Sequence, residues 1–187
     1  MSLTLIEGPA GEPVSLEEAK AWLRVDTAAE DTLITGLITA ARMMVESHSA
    51  KACLTQRWLW RTSWTAKSLR LPLSPLQSVE EVAVLDGEGA RHVIAPANYQ
   101  AITGTPGRVL KRLGFSAPLR PARESGFEVS FTAGFGAAGD VPELLRRAVL
   151  MLVAHWFENR EPVAFGEGRP LPLALDAMLA SYREMRL

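Results

Sequence analysis

The stretch Pro142 to Arg160, PELLRRAVLMLVAHWFENR, restricts the possible folds more than any other part of the chain. From Ala148 to Ala154 seven residues are apolar without a break. A surface helix shows one apolar stripe, so a helix carrying such a run must be covered on most sides. It is not a membrane span, which needs about 20 apolar residues, because His155 and Glu158 end the run. Asp140 with Glu143 three residues on reads as a capping box, and Pro142 fits a first helical turn, where its missing N–H costs nothing. Pro162 stops the segment. The pattern predicts a core helix over 142–160.

The cover must come from elsewhere. Ser15 and Glu18 form a second capping box, opening a helix over 15–25, and Thr27 with Glu30 repeats the device before a helix over 28–48. On the latter, Leu33, Ile34, Leu37, Ile38, Ala41, Met44 and Val45 share one face at helical spacing. This hairpin is the natural partner of the core helix, with Leu37, Leu152 and Trp156 expected in the common core. Residues 1–13, with Gly8, Pro9, Gly11 and Pro13, read as an extended arm.

Between Leu54 and Ala133 the period falls to two. Trp58, Trp60 and Trp64 alternate with other residues, Val82 and Val84 lead into the turn signal Asp86-Gly87-Glu88-Gly89, and a strand over 91–95 follows. Short strands are expected at 98–102 and 109–113. Phe127, Val129, Phe131 and Ala133 alternate with Glu128, Ser130 and Thr132, the clearest half-buried strand. After Pro162 the glycines and prolines of 163–172 make a linker to a last amphipathic helix over 173–187, where Leu175, Met178, Leu179, Tyr182 and Met185 fall on one face. The layout is α+β. A helical core of two N-terminal helices and the 142–160 helix receives a small antiparallel sheet, inserted over 57–133, and a separate C-terminal helix follows. This divides the chain into an arm (1–13), a central domain (14–161) and a C-terminal linker and helix (162–187).

At 187 residues with 48% hydrophobic content the chain can bury a real core, and its net charge of −1 argues against a general nucleic-acid or anionic-membrane binder. Lone Cys53 forms no internal disulfide, and the start of the chain has no secretory pattern, so the expected place of synthesis and assembly is the cytoplasm. Gly134-Phe135-Gly136-Ala137-Ala138-Gly139 fits G-x-G-x-x-G between a strand and a helix. A nucleotide-binding enzyme built on it is one alternative. It lacks the second parallel strand ending in an acid about 20 residues on, because that position lies inside the core helix. His155 and Glu158, three apart, fall short of the three or four ligands a metal needs. No base stands at recognisable spacing from Cys53. No catalytic, cofactor or metal residue is assigned. Arg108, Lys111, Arg112, Arg120 and Arg123 form the one basic stretch, which reads as a solvated face, a subunit contact or a phosphate contact; a DNA-binding regulator is the second alternative.

Several segments taken in order carry a resemblance. Val14 to Asp26 (VSLEEAKAWLRVD) is followed by Glu30-Asp31 opening an Ile/Leu-rich helix to Glu46, and then by Leu71 to Val79 (LPLSPLQSV). Asp86-Gly87, Tyr99, Thr132 to Gly136 (TAGFG), Val141-Pro142 and His155 to Glu161 (HWFENRE) complete the set. Together they resemble siphophage head–tail connector (adaptor, head-completion) proteins, in particular the adaptor of alphaproteobacterial gene transfer agents. The likeness covers phage, prophage remnant and gene transfer agent alike. It implies a structural, non-enzymatic ring, usually of twelve copies, without cofactor or membrane. The ring would sit below the portal protein at the head–tail junction of the particle, with a tail-side stopper or completion protein beneath and DNA passing through the lumen without sequence specificity. It also implies that the C-terminal helix grips the portal through Leu175, Met178, Leu179, Tyr182 and Met185. The basic stretch would then face the ring interface or the lumen.

Overall fold

The structure, a computed structural model, describes residues 1–113, 115, 126–159 and 173–182. The chain forms two compact units, a sheet unit of Met1–Ala10 and Thr55–Phe135 and a helical unit of Gly11–Leu54 and Gly136–Leu187.

In the helical unit, α1 (Leu16–Leu23) begins at the expected capping box: Glu18 N–H donates to Ser15 Oγ, and Ser15 N–H to the Glu18 carboxylate. It ends where Arg24 turns left-handed at φ 58°. Thr27 makes no capping bond; a short 3₁₀ turn, Ala28–Glu30, leads instead into α2 (Asp31–Ser49). The core helix is α3 (Glu143–Glu158), with Leu145, Ala148, Val149, Leu152 and Val153 buried as a stripe and no residue exposed from Ala148 to Ala154. Leu152 is fully buried, whereas Leu37 and Trp156 are half-buried, at the margin of the core.

The start of α3 differs from expectation. Pro142 occupies the cap position without a side-chain bond, and Asp140 instead turns back to accept the Ala137 N–H at 2.9 Å. A carboxylate two residues ahead of Pro142 finds free amides in its own tight turn before it can reach the helix. Arg146 ties the first turn of α3 to its surroundings, donating to the Pro13 carbonyl at 3.0 Å and pairing with Glu18 and Glu143.

Buried Arg42 on α2 is held by Glu12 (2.7 Å) and Glu46 (2.9 Å), and Glu46 also accepts the Cys53 N–H (2.8 Å). Burial alone would depress the Arg42 guanidinium, but the two carboxylates outweigh it and raise its pKa. This pairing satisfies a charge in a low-dielectric setting. The last helix, α4 (Leu173–Ala180), read from the sequence as a separate C-terminal helix, lies against α3 and α2 with Leu175 and Leu179 buried.

The sheet unit begins with the first residues of the chain. Within the stretch read as an extended arm, Ser2–Glu7 form β1, paired antiparallel with β2 (Gln56–Thr62). Leu3 and Leu5 alternate with Ser2 and Thr4, a period-two signal outweighed in the sequence by the glycines and prolines that follow. Leu76–Leu85 is β4, Arg91–Val93 is β5 and Phe127–Ala133 is β8; the five strands run in the order β1-β2-β8-β4-β5. A second sheet of β3 (Ser68–Arg70), β7 (Arg108–Lys111) and β6 (Tyr99–Ile102) has the order β3-β7-β6. The single small sheet expected is thus two sheets with eight strands among the described residues.

On the apolar face of the larger sheet, Trp60, Val129 and Val82 stand in register, as do Thr62, Phe127 and Val84. Trp64 lies beyond β2 rather than on it, with its ring 5.7 Å from Phe127 and 5.4 Å from Phe115. The predicted turn after β4 forms around Asp86, whose carboxylate accepts the N–H groups of Glu88 and Ala90 and bonds the His92 ring. A Cβ on Gly107 would stand 2.3 Å from Leu76 Cβ, so only glycine allows this approach.

Candidate assembly surfaces

The basic stretch is divided by the fold. Arg108 and Arg112 are exposed, at the start and just past the end of β7. Arg108 stands directly opposite Arg70 of β3, an exposed residue that sequence reasoning missed; only the β3–β7 register brings the two together. Lys111 has a different role. Its Nζ donates to the Trp64 carbonyl at 2.9 Å and lies 5.2 Å from the centroids of both the Trp64 and Phe115 rings, and burial lowers its pKa. These contacts tie Lys111 to the segment after β2 within the sheet unit. Arg120 and Arg123 lie outside the described residues.

On the opposite face of the larger sheet, Glu128 is buried on β8 between Arg61 Nε (2.7 Å) and Arg91 Nε (2.8 Å), and Arg91 also pairs with Glu81. Burial pushes the Glu128 carboxyl upward, but the two arginines outweigh it and hold it below the usual carboxylate range. All four groups are neutralised among themselves, so the cluster braces four strands and offers no free charge to a ligand.

The C-terminal positions fall into three groups. Leu175 and Leu179 are buried in the chain's own helical unit, Met178 and Tyr182 are half-buried, and Met185 lies outside the described residues. Two of the five side chains expected to face a partner therefore face the chain itself. The helix physics explains this: an isolated helix of eight residues is marginal in water, and the α2–α3 surface supplies the burial it needs.

The glycine loop is no cradle for phosphate. Gly134 is tied into the sheet unit, donating to the Pro75 carbonyl (2.9 Å) and accepting from Gln77 Nε2 (2.8 Å). Gly136 has φ +130°, and a Cβ there would stand 2.5 Å from Asp140 Oδ2. An anion already occupies the loop amide, because Asp140 accepts from Ala137, and a second anion would be repelled. The glycines serve a crossing of the chain between its two units, after Phe135. Cys53 is fully buried, and burial followed by the Glu46 charge pushes its thiol up to about 12, so it stays protonated and unreactive. Among the described residues no three metal-binding side chains cluster, and no helix is long and apolar enough to cross a membrane.

Residues 13–90 match the family described as "Phage gp6-like head-tail connector protein". Over 100% of its length the chain is also similar to a chain of the structure "Neck of empty GTA particle computed with C6 symmetry", with TM-score 0.81, 26% identity and 97% of that chain covered. This is a structural head–tail connector protein. Two further structures, "Virion of native gene transfer agent (GTA) particle" and "Neck of native GTA particle computed with C12 symmetry", share the connector's fold. Their TM-scores are 0.80 and 0.79 at 24% identity, again over 100% of this chain and 97% of each. No curated protein matches it. The matches are to a structural part of a particle and not to an enzyme, in keeping with a site inventory made of braces and surfaces.

Proposed function

We propose that the connector forms a closed ring in the neck of a gene transfer agent or related phage-like particle, joining the capsid portal to the tail around the DNA channel. The observation that carries this reading is the full-length likeness to a chain of a gene transfer agent neck, a region whose structures were computed with C6 and C12 symmetry. Cyclic symmetry of that kind requires two different, complementary surfaces on each subunit. Twelve copies is the number the C12 neck favours. The chain would collect in the cytoplasm during assembly and end at the head–tail junction, with a tail-side stopper or completion protein below it.

Mixing the connector with its portal and sedimenting the mixture tests the reading: a ring that travels with the portal is expected, and a chain that stays at monomer size under every condition overturns it. Portal docking by the C-terminal segment is a finer part of the proposal. Because Leu175 and Leu179 are buried at home, docking uses either the half-buried Met178 and Tyr182 with Met185, or a helix that leaves its place on α2 and α3. Truncation after Glu161 is expected to abolish portal binding while the protein stays folded. We assign Arg108 and Arg112, with Arg120 and Arg123, to the ring interface or lumen. Exchanging Arg108 and Arg112 for Glu is expected to weaken ring assembly, or to lower the salt-dependent affinity for duplex DNA of any sequence.

A further inference from the structure

Among the described residues the larger sheet ends in two open edges. One is β1, SLTLIE, exposed at all six positions, with Leu3 38%, Leu5 46% and Ile6 45% exposed. Natural edge strands are blunted by shortness, lysine, proline, inward-pointing charge, a bulge or a covering loop. Neither lysine nor proline interrupts β1, and the one such device within it is a bulge between Leu5 and Glu7, near its end. Leu3 and Leu5 lie opposite Trp60 and Trp58 on β2, so they extend the apolar face of the sheet out to its rim. The other edge is β5, where Val93 is 53% exposed and which pairs only with β4 among the described residues.

We infer that β1 of one connector adds to the β5 edge of a second copy, so that the five-stranded sheets continue from subunit to subunit. This rests on the ring proposed above. A cyclic ring needs two unlike surfaces per subunit, and the two ends of one sheet meet that need, since backbone pairing joins any two open edges. The faces agree as well. Thr4 is opposite Leu59, and Leu59 opposite Ser130, while Val93 is opposite Ala83, and Ala83 opposite Glu128; Thr4 and Val93 therefore stand on the same face. A partner of another kind, from the portal or tail side, is the competing occupant of β1.

Hydrogen exchange of the 2–7 amides, compared in the free chain and in the ring assembled with portal, tests the edge. At least a tenfold slowing is expected, and unchanged exchange in an intact ring overturns the inference alone. Cysteine pairing tests the occupant, with little background because Cys53 is fully buried. Thr4→Cys combined with Val93→Cys is expected to give a ladder of disulfide-linked multimers under mild oxidation, and either single variant no ladder. A linked dimer from Thr4→Cys alone, or protected amides without a ladder from this pair or from Ser2→Cys with Val93→Cys, overturns the β5 assignment. Failure of the wild-type chain to form any ring overturns the proposed function together with this inference.

Discussion

β1 and β8 are strands of one sheet and read alike, SLTLIE and FEVSFTA, each alternating apolar with polar residues. Their fates are opposite. β8 lies between β2 and β4 and has no exposed residue, whereas β1 has no buried one. Alternation therefore states that a segment is a strand; its place in the sheet depends on which distant segments flank it. The central place also imposes a condition the edge does not. A carboxylate on β8 is taken out of water whichever face it points to, so Glu128 needs Arg61 from one side and Arg91 from the other. Glu7, at the end of β1, remains in solvent with a loose 3.9 Å contact to Arg57.

Substitutions can break this comparison in order of size. Phe131→Ala removes a fully buried ring from β8 and is expected to cost about 3–5 kcal/mol, read as a lower urea midpoint. A loss below about 1 kcal/mol would mean that β8 is not the centre of the core. The helical unit offers a control. Leu152→Ala on α3 should cost about 2–5 kcal/mol, and an unchanged melting temperature would place that core elsewhere.

Glu128→Gln comes next, at about 1–2 kcal/mol, because it weakens two charge-assisted bonds whose arginines are themselves half in water. Its pH dependence has a definite sign. The folded pKa of Glu128 lies below its ordinary 4.5, so the wild-type protein holds this stability above that value and loses it as pH falls through the depressed folded value. Urea midpoints of wild type and variant should therefore converge on acidification, and a gap that widens would contradict the assignment. Smallest of all, Leu5→Ala on β1 should change the stability of the free chain by no more than about 0.5 kcal/mol, checked by the same titration. A large loss would show that the edge contributes to the fold before any assembly.

The sequence alone determined the kinds of element and much of their extent. Breaks and periodicity are local signals, and α1, α2, α3, the turn at Asp86 and β8 all formed where those signals lie, although of the three caps read for the helices only the one at Ser15 formed. The unbroken apolar run at 148–154 marked α3 as a core helix: Ala148, Val149, Leu152 and Val153 are buried, and Leu150, Met151 and Ala154 half-buried. Tertiary structure alone decided the rest, since each remaining outcome depends on a partner far away in the chain. The first residues became a strand when β2 was there to pair with them, and Lys111 became a brace when Trp64 and Phe115 closed around it. Arg70 joined the basic face through strand register, and α4 found its cover on α2 and α3. Asp140 is the instructive local exception: two sets of free amides lay within its reach, and the nearer turn took it. Burial and backbone pairing are summed over the whole molecule, and a local pattern states what a segment needs but not which neighbour will supply it.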